Sequence, residues 1–233
     1  MEHIQALDHS QTQTLATNRL IRNTYTLLAL TLAFSAGTAG VAMHFNFSFA
    51  AVAMSFGFSP FTGLLFMLAG YFVLLFLTNK FRNSGKGIIC VFALTGFLGL
   101  TLGPLLSFYL ATPNGSQLVM QALGATAFIF FALSAYALTT RKDFSFMGGF
   151  LFVGILVAFL AGLAAIFFNM PALSLAVSAA FVLLSSGLIL YQTSAIVNGG
   201  ETNYIMATVT LYVSLYNLFT SLLHLLSALT GND

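Results

Sequence analysis

Charge is nearly absent from this chain. Only 5% of its 233 residues are Asp, Glu, Lys or Arg, against about 25% in a soluble domain, so its surface is not built for water. Trp is missing altogether, which leaves Tyr25, Tyr71, Tyr109, Tyr191 and Tyr204 as the ring anchors expected near span ends. The one cysteine, Cys90, has no intrachain partner and says nothing about redox compartment. A net charge of +2, confined to loop positions, is too small to suggest nucleic acid. There is no HExxH, no cluster of cysteine and histidine, and no pair of aspartates in an apolar run, so no catalytic residue, metal site or cofactor is expected. No lysine occurs in the last apolar run, which excludes a retinal Schiff base there.

What is present is hydrophobic: 59% of the residues, gathered into long runs. Backbone amides in lipid have no water to bond, so only helices or a closed barrel can cross. A barrel strand needs roughly 9–11 residues and a helix about 20. The runs here are of the second length, so the expected fold class is an all-α integral membrane protein of seven transmembrane helices. The spans are expected at about Tyr25–His44, Pro60–Thr78, Lys86–Leu110, Gln117–Thr139, Ser145–Phe168, Pro171–Val197 and Tyr204–Leu229. Pro60 suits a first helical turn, where its missing N–H is not needed. Gly103-Pro104 marks an expected kink in span three. Residues 45–58 are apolar but rich in Phe and Ser, and read either as an interfacial segment or as an extension of span one. Residues 1–20 are polar, lack a hydrophobic period and read as a mobile tail ahead of a membrane domain over residues 21–233.

All seven basic residues, Arg19, Arg22, Lys80, Arg82, Lys86, Arg141 and Lys142, fall in gaps that alternate to the same side. By the positive-inside rule that side is the cytoplasm, which puts the amino terminus inside and the carboxyl terminus outside. Arg19, Arg22, YTLLALTLAF and SAGTAG also have the outline of a signal peptide. The apolar run continues through Val41–Met43 and the charged lead is long, which favours a retained span.

Span seven carries a polar stripe. Asn203, Ala207, Thr210, Ser214, Asn217, Ser221, His224 and Ala228 follow alternating steps of four and three, one face of a helix, and each is small or polar. Span six has a thinner stripe in Ser178, Ser185 and Gln192, and span one shows Thr24, Thr31, Ser35 and Thr38. Small residues let membrane helices approach closely and their hydroxyls bond across the interface, the simplest account of such faces and of the Gly99/Gly103 pair. The other account is a polar core or closed pore. Gln192 and Asn217 weigh toward it, because an amide in hydrocarbon needs partners for both its oxygen and its nitrogen. At 1.5 Å per residue Gln192 and Ser214 lie roughly 8 and 15 Å from one membrane face, within reach of each other allowing for boundary error. A Ser186–His224 dyad fails, because the two depths differ by roughly 15 Å. Apart from Lys86, the first residue of span three, no Asp, Glu, Lys or Arg falls inside a span, so the ionisable residue that normally marks a proton relay or cation path is missing.

The segments RNTYTLLALTLAFSAGTAG, LGPLLSFYL, YALTTRKDFSFMGGFLFVG and SSGLILYQTSAIVNGGETNYIMATVTLYVSLYNLF resemble the Bax inhibitor-1 family of seven-span proteins. The likeness covers nearly the whole chain from Arg19 onward and is nearest to the bacterial branch that modulates the membrane protease FtsH. It implies six helices around a seventh. It also implies a bacterial inner-membrane location and, as partners, FtsH and its associated HflKC complex, with the chain acting as a slowly degraded, non-enzymatic inhibitor. Arg141, Lys142, Asp143 and Glu201 are then candidate docking charges on the cytoplasmic side. In many members of the family the span-six motif reads L-Y-D-T and span seven carries an Asp before its Asn-Leu-Phe. Those two aspartates resemble a pH-sensing pair gating a calcium leak. The matching positions here are Gln192 and Ser214, neither of which titrates in the physiological range, so the resemblance implies a structural contact there. A calcium or cation leak channel remains the alternative.

Overall fold

The computed structural model describes the backbone of residues 2–231 and the side chains of residues 15–231. Eight helices account for most of it: α1 (Glu2–His44), α2 (Phe49–Ser55), α3 (Pro60–Phe81), α4 (Gly85–Leu110), α5 (Gly115–Thr140), α6 (Met147–Phe167), α7 (Pro171–Val197) and α8 (Tyr204–Leu229). No strand occurs among the described residues. Seven of the helices are long and apolar enough to cross a membrane: Leu15–His44 of α1, and all of α3 to α8. The expected spans are therefore all present. The tail of residues 1–20 falls partly outside the described residues. Its backbone continues α1 as helix back to Glu2.

Local chemistry places the breaks. Pro60 and Pro171 each open a helix within its first turn, where a missing N–H breaks no bond. Asn46 (φ 50°) and Asn169 (φ 48°) end α1 and α6 in the left-handed conformation that asparagine tolerates. The Asn46 turn settles the segment 45–58. It is not an extension of span one but a separate helix, α2, whose N-cap Ser48 accepts from the Ala51 N–H at 3.0 Å. α4 runs unbroken through Pro104. Tyr71 departs from its expected place at a span end: α3 starts at Pro60 and ends at Phe81, so the ring sits near its middle, 5.2 Å from that of Phe72.

The chain divides into two compact units, one of residues up to Leu27 with Thr126–Leu222, the other of Leu28–Ala125 with the residues from Leu223 on. In the second unit, glycine sets how closely helices meet. A Cβ at Gly99 would collide with the Thr38 hydroxyl and the Ser35 carbonyl, one at Gly103 with the Ala42 methyl, and one at Gly96 would lie 2.6 Å from the Phe34 ring. The Gly99/Gly103 pair is thus the seat of α1 on α4, as small residues in membrane helices allow. Gly63 does the same for α2, since its Cβ would fall 2.7 Å from the Ala50 backbone. In the first unit α6 and α7 exchange knobs and holes. Leu184 fills the space over Gly154, Leu151 that over Gly187, and both leucines join Ala158 in a buried cluster. α8 is the most enclosed span: half of its apolar window is buried, and no residue from Tyr204 to Ala228 is exposed.

Candidate functional site

Helix α8 begins with an amide cap. Asn203 Oδ1 accepts from the N–H groups of Ile205 (3.0 Å) and Met206 (3.1 Å), and Glu201 Oε1 accepts from Thr202 N (2.9 Å) and Asn203 N (2.8 Å). The Glu201 carboxylate therefore shapes the α7–α8 turn. Asp143 has the same kind of role, its Oδ1 accepting from Ser145 N at 2.8 Å. Arg141 closes α5 in the left-handed conformation (φ 51°), and the side chains of Arg141 and Lys142 are exposed. Of the four candidate docking charges, the two acids are occupied by local backbone and the two bases are presented to the surroundings.

The loop carrying these bases is tied down by α7. Ser194 Oγ donates to the Lys142 carbonyl at 2.8 Å and accepts from Phe144 N at 3.1 Å, while Asn198 Nδ2 donates to both Lys142 O (3.2 Å) and Ser194 Oγ (3.1 Å). Ser194 and Asn198 stand one turn apart on α7, so both reach the same loop. Neither residue was singled out from the sequence. Their spacing of four at the end of a span, opposite a charged turn, is the signal that would have found them.

Deeper in the same unit lies a polar cluster. Tyr25 on α1 meets Thr193 on α7 (hydroxyl oxygens 3.3 Å apart) and the Phe130 ring on α5 (5.9 Å between centroids). Thr208 on α8 donates to the Thr24 carbonyl of α1 (3.2 Å) and to Tyr204 O (2.7 Å). Gln192, next to Thr193, is 5% exposed, and its Nε2 has no hydrogen-bond partner. Thr24 Oγ1 and Ser134 Oγ are likewise buried without one.

On the α8 stripe, Ser214, fully buried, donates to its own helix at Thr210 O (2.8 Å), so no bond joins it to the Gln192 amide nitrogen. Ser221 is buried, Thr210, Asn217 and His224 half-buried. Leu211, Leu215 and Leu218 on other faces are buried too, so the stripe is not the helix's one enclosed side. Ser186 donates to Val182 O at 2.7 Å, a bond within α7. Among the described residues no three His, Cys, Asp or Glu side chains lie close enough to hold a metal.

Seven apolar helices, the last of them the most enclosed, define a multi-span membrane protein. The chain belongs to the family described as "Inhibitor of apoptosis-promoting Bax1", whose model matches residues 17–231. It is 52% identical over 226 residues to the Escherichia coli K12 protein named "Modulator of FtsH protease YccA", covering 97% of each chain. An E. coli O6:H1 relative with the same identity and coverage is named "Inner membrane protein YccA". An uncharacterized Pseudomonas aeruginosa protein is 51% identical over 214 residues, 92% of this chain and 91% of its own.

Proposed function

We propose that this chain is an inner-membrane, non-catalytic modulator of an FtsH-type protease, acting by binding as a slowly degraded substrate, with HflKC as a second partner. The observation that carries the reading is the 52% identity, without large gaps in coverage, to a protein named as a modulator of FtsH. The architecture supports it. An ATP-driven protease needs a segment to grip and is slowed by a domain that resists extraction. Residues 1–20 supply the first: they are polar and lack a hydrophobic period. The enclosed α8, gripped at its start by Asn203 and Glu201, supplies resistance. The basic residues then face the cytoplasm with the tail, and the exposed Arg141 and Lys142 form the docking charges, held in place by Ser194.

Deleting residues 1–20 tests the initiation role. The truncated chain is expected to have a longer half-life in cells containing the protease and to restrain it for longer; an unchanged half-life would sink the idea.

A calcium or cation leak is the second reading; it rests on membership of the Bax1 family and is weakened by Gln192 and Ser214, which carry no carboxylate to coordinate a cation. It requires calcium flux in proteoliposomes that changes when Gln192 or Ser214 is replaced.

A further inference from the structure

The turn between α3 and α4 gathers positive charge. Lys80 lies in the last turn of α3, Lys86 in the first turn of α4 and Arg82 between them, and all three are exposed. No Asp or Glu occurs between Asp8 and Asp143, so the stretch Leu28–Ala125 contains no carboxylate side chain. The two lysines nevertheless converge on one ring: Nζ of Lys80 is 5.9 Å, and Nζ of Lys86 5.8 Å, from the centroid of Phe81. The ring attracts each ammonium through its π face. With no carboxylate in this stretch of chain, a bound anion would offset the charge of the two ammoniums.

Apolar side chains accompany both lysines. Phe76 stands four residues before Lys80 and Ile89 three after Lys86, the spacings that share a helix face. They are 65% and 71% exposed. Phosphate at the ammoniums with hydrocarbon along Phe76 and Ile89 is the layout of a phospholipid at the membrane surface. Free phosphate would leave the apolar half of that layout unused.

We propose that Lys80, Phe81 and Lys86 form a headgroup site for an anionic phospholipid, with its acyl chains against Phe76 and Ile89. The lysines neutralise the phosphodiester and the Phe81 ring holds them together.

The test uses the purified full chain in a non-denaturing detergent. Native mass spectrometry would compare binding of phosphatidylglycerol and of phosphatidylcholine with the same acyl chains, with inorganic phosphate as a competitor. A juxtamembrane lysine is worth about fivefold in affinity for an anionic surface, so K80Q/K86Q is expected to weaken phosphatidylglycerol binding about 25-fold. R19Q, which removes an exposed charge elsewhere, should leave it within about twofold. F81L keeps both charges and is expected to lose severalfold, which guards against misreading a folding defect in the double variant. Equal binding of the two lipids, displacement by phosphate, equal losses in R19Q and K80Q/K86Q, or unchanged binding in F81L would each overturn the proposal.

Discussion

Gln192 is held at 5% exposure with its amide nitrogen unpaired, and leaving such a group buried costs about 1–3 kcal/mol. Methionine matches glutamine in length and lacks the polar end. Gln192→Met is therefore expected to leave thermal stability in detergent unchanged or to raise it by about 1 kcal/mol. A loss of that size would show that the amide is bonded in the membrane-embedded protein. The same residue separates the two functional readings. With Gln192 and Ser214 in place of a carboxylate pair, the chain is expected to pass no calcium across proteoliposomes, and Gln192→Asp with Ser214→Asp to confer pH-dependent flux. Appreciable flux in the unmodified chain would instead favour the leak. Ser194 presents a different case. It is 1% exposed and bonded on both sides of the α5–α6 loop, so Ser194→Ala should leave Phe144 N without its acceptor and Lys142 O with Asn198 Nδ2 alone. We expect a loss of about 1–3 kcal/mol, together with faster amide exchange at Phe144 measured by hydrogen–deuterium mass spectrometry.

The glycines of α4 make the element-scale prediction. A methyl at Gly99 would overlap the Thr38 hydroxyl and the Ser35 carbonyl, and the backbone of α1 has to move to admit it. Gly99→Ala is expected to cost about 1–3 kcal/mol in thermal or chemical unfolding, whereas Gly37→Ala, which meets nothing, should be near neutral. Equal effects would mean that α1 does not seat on that face. These elements were legible in the sequence to different depths. The spans were plain, because hydrocarbon thickness and the 1.5 Å helical rise fix their length and because Pro60, Asn169 and Pro171 mark their ends. The stripe on α8 is visible in the sequence as steps of four and three; Ser214 and Ser221 on it are buried, and Thr210, Asn217 and His224 half-buried. α2 was ambiguous because apolar residues 45–58 have no clear period; the break is a single left-handed turn at Asn46. The tie of Thr208 to Thr24 joins residues far apart in the chain, and no local pattern announces such a pair.

At the scale of the molecule, no Asp or Glu falls in any of the seven apolar helices, and the most enclosed of them comes last in the chain. So little charge and so enclosed a last span suit the proposed partner that acts by being difficult to digest. Its likeness to the named FtsH modulator extends over 97% of both chains. The most direct test is a pull-down of the tagged chain from its native membrane in mild detergent, followed by mass spectrometry, with and without residues 1–20. Co-purification of an FtsH-type protease with the intact chain is the expected result, and the truncated form then shows whether the tail or the bundle holds it. A folded chain that brings down no such protease in either form would contradict the account.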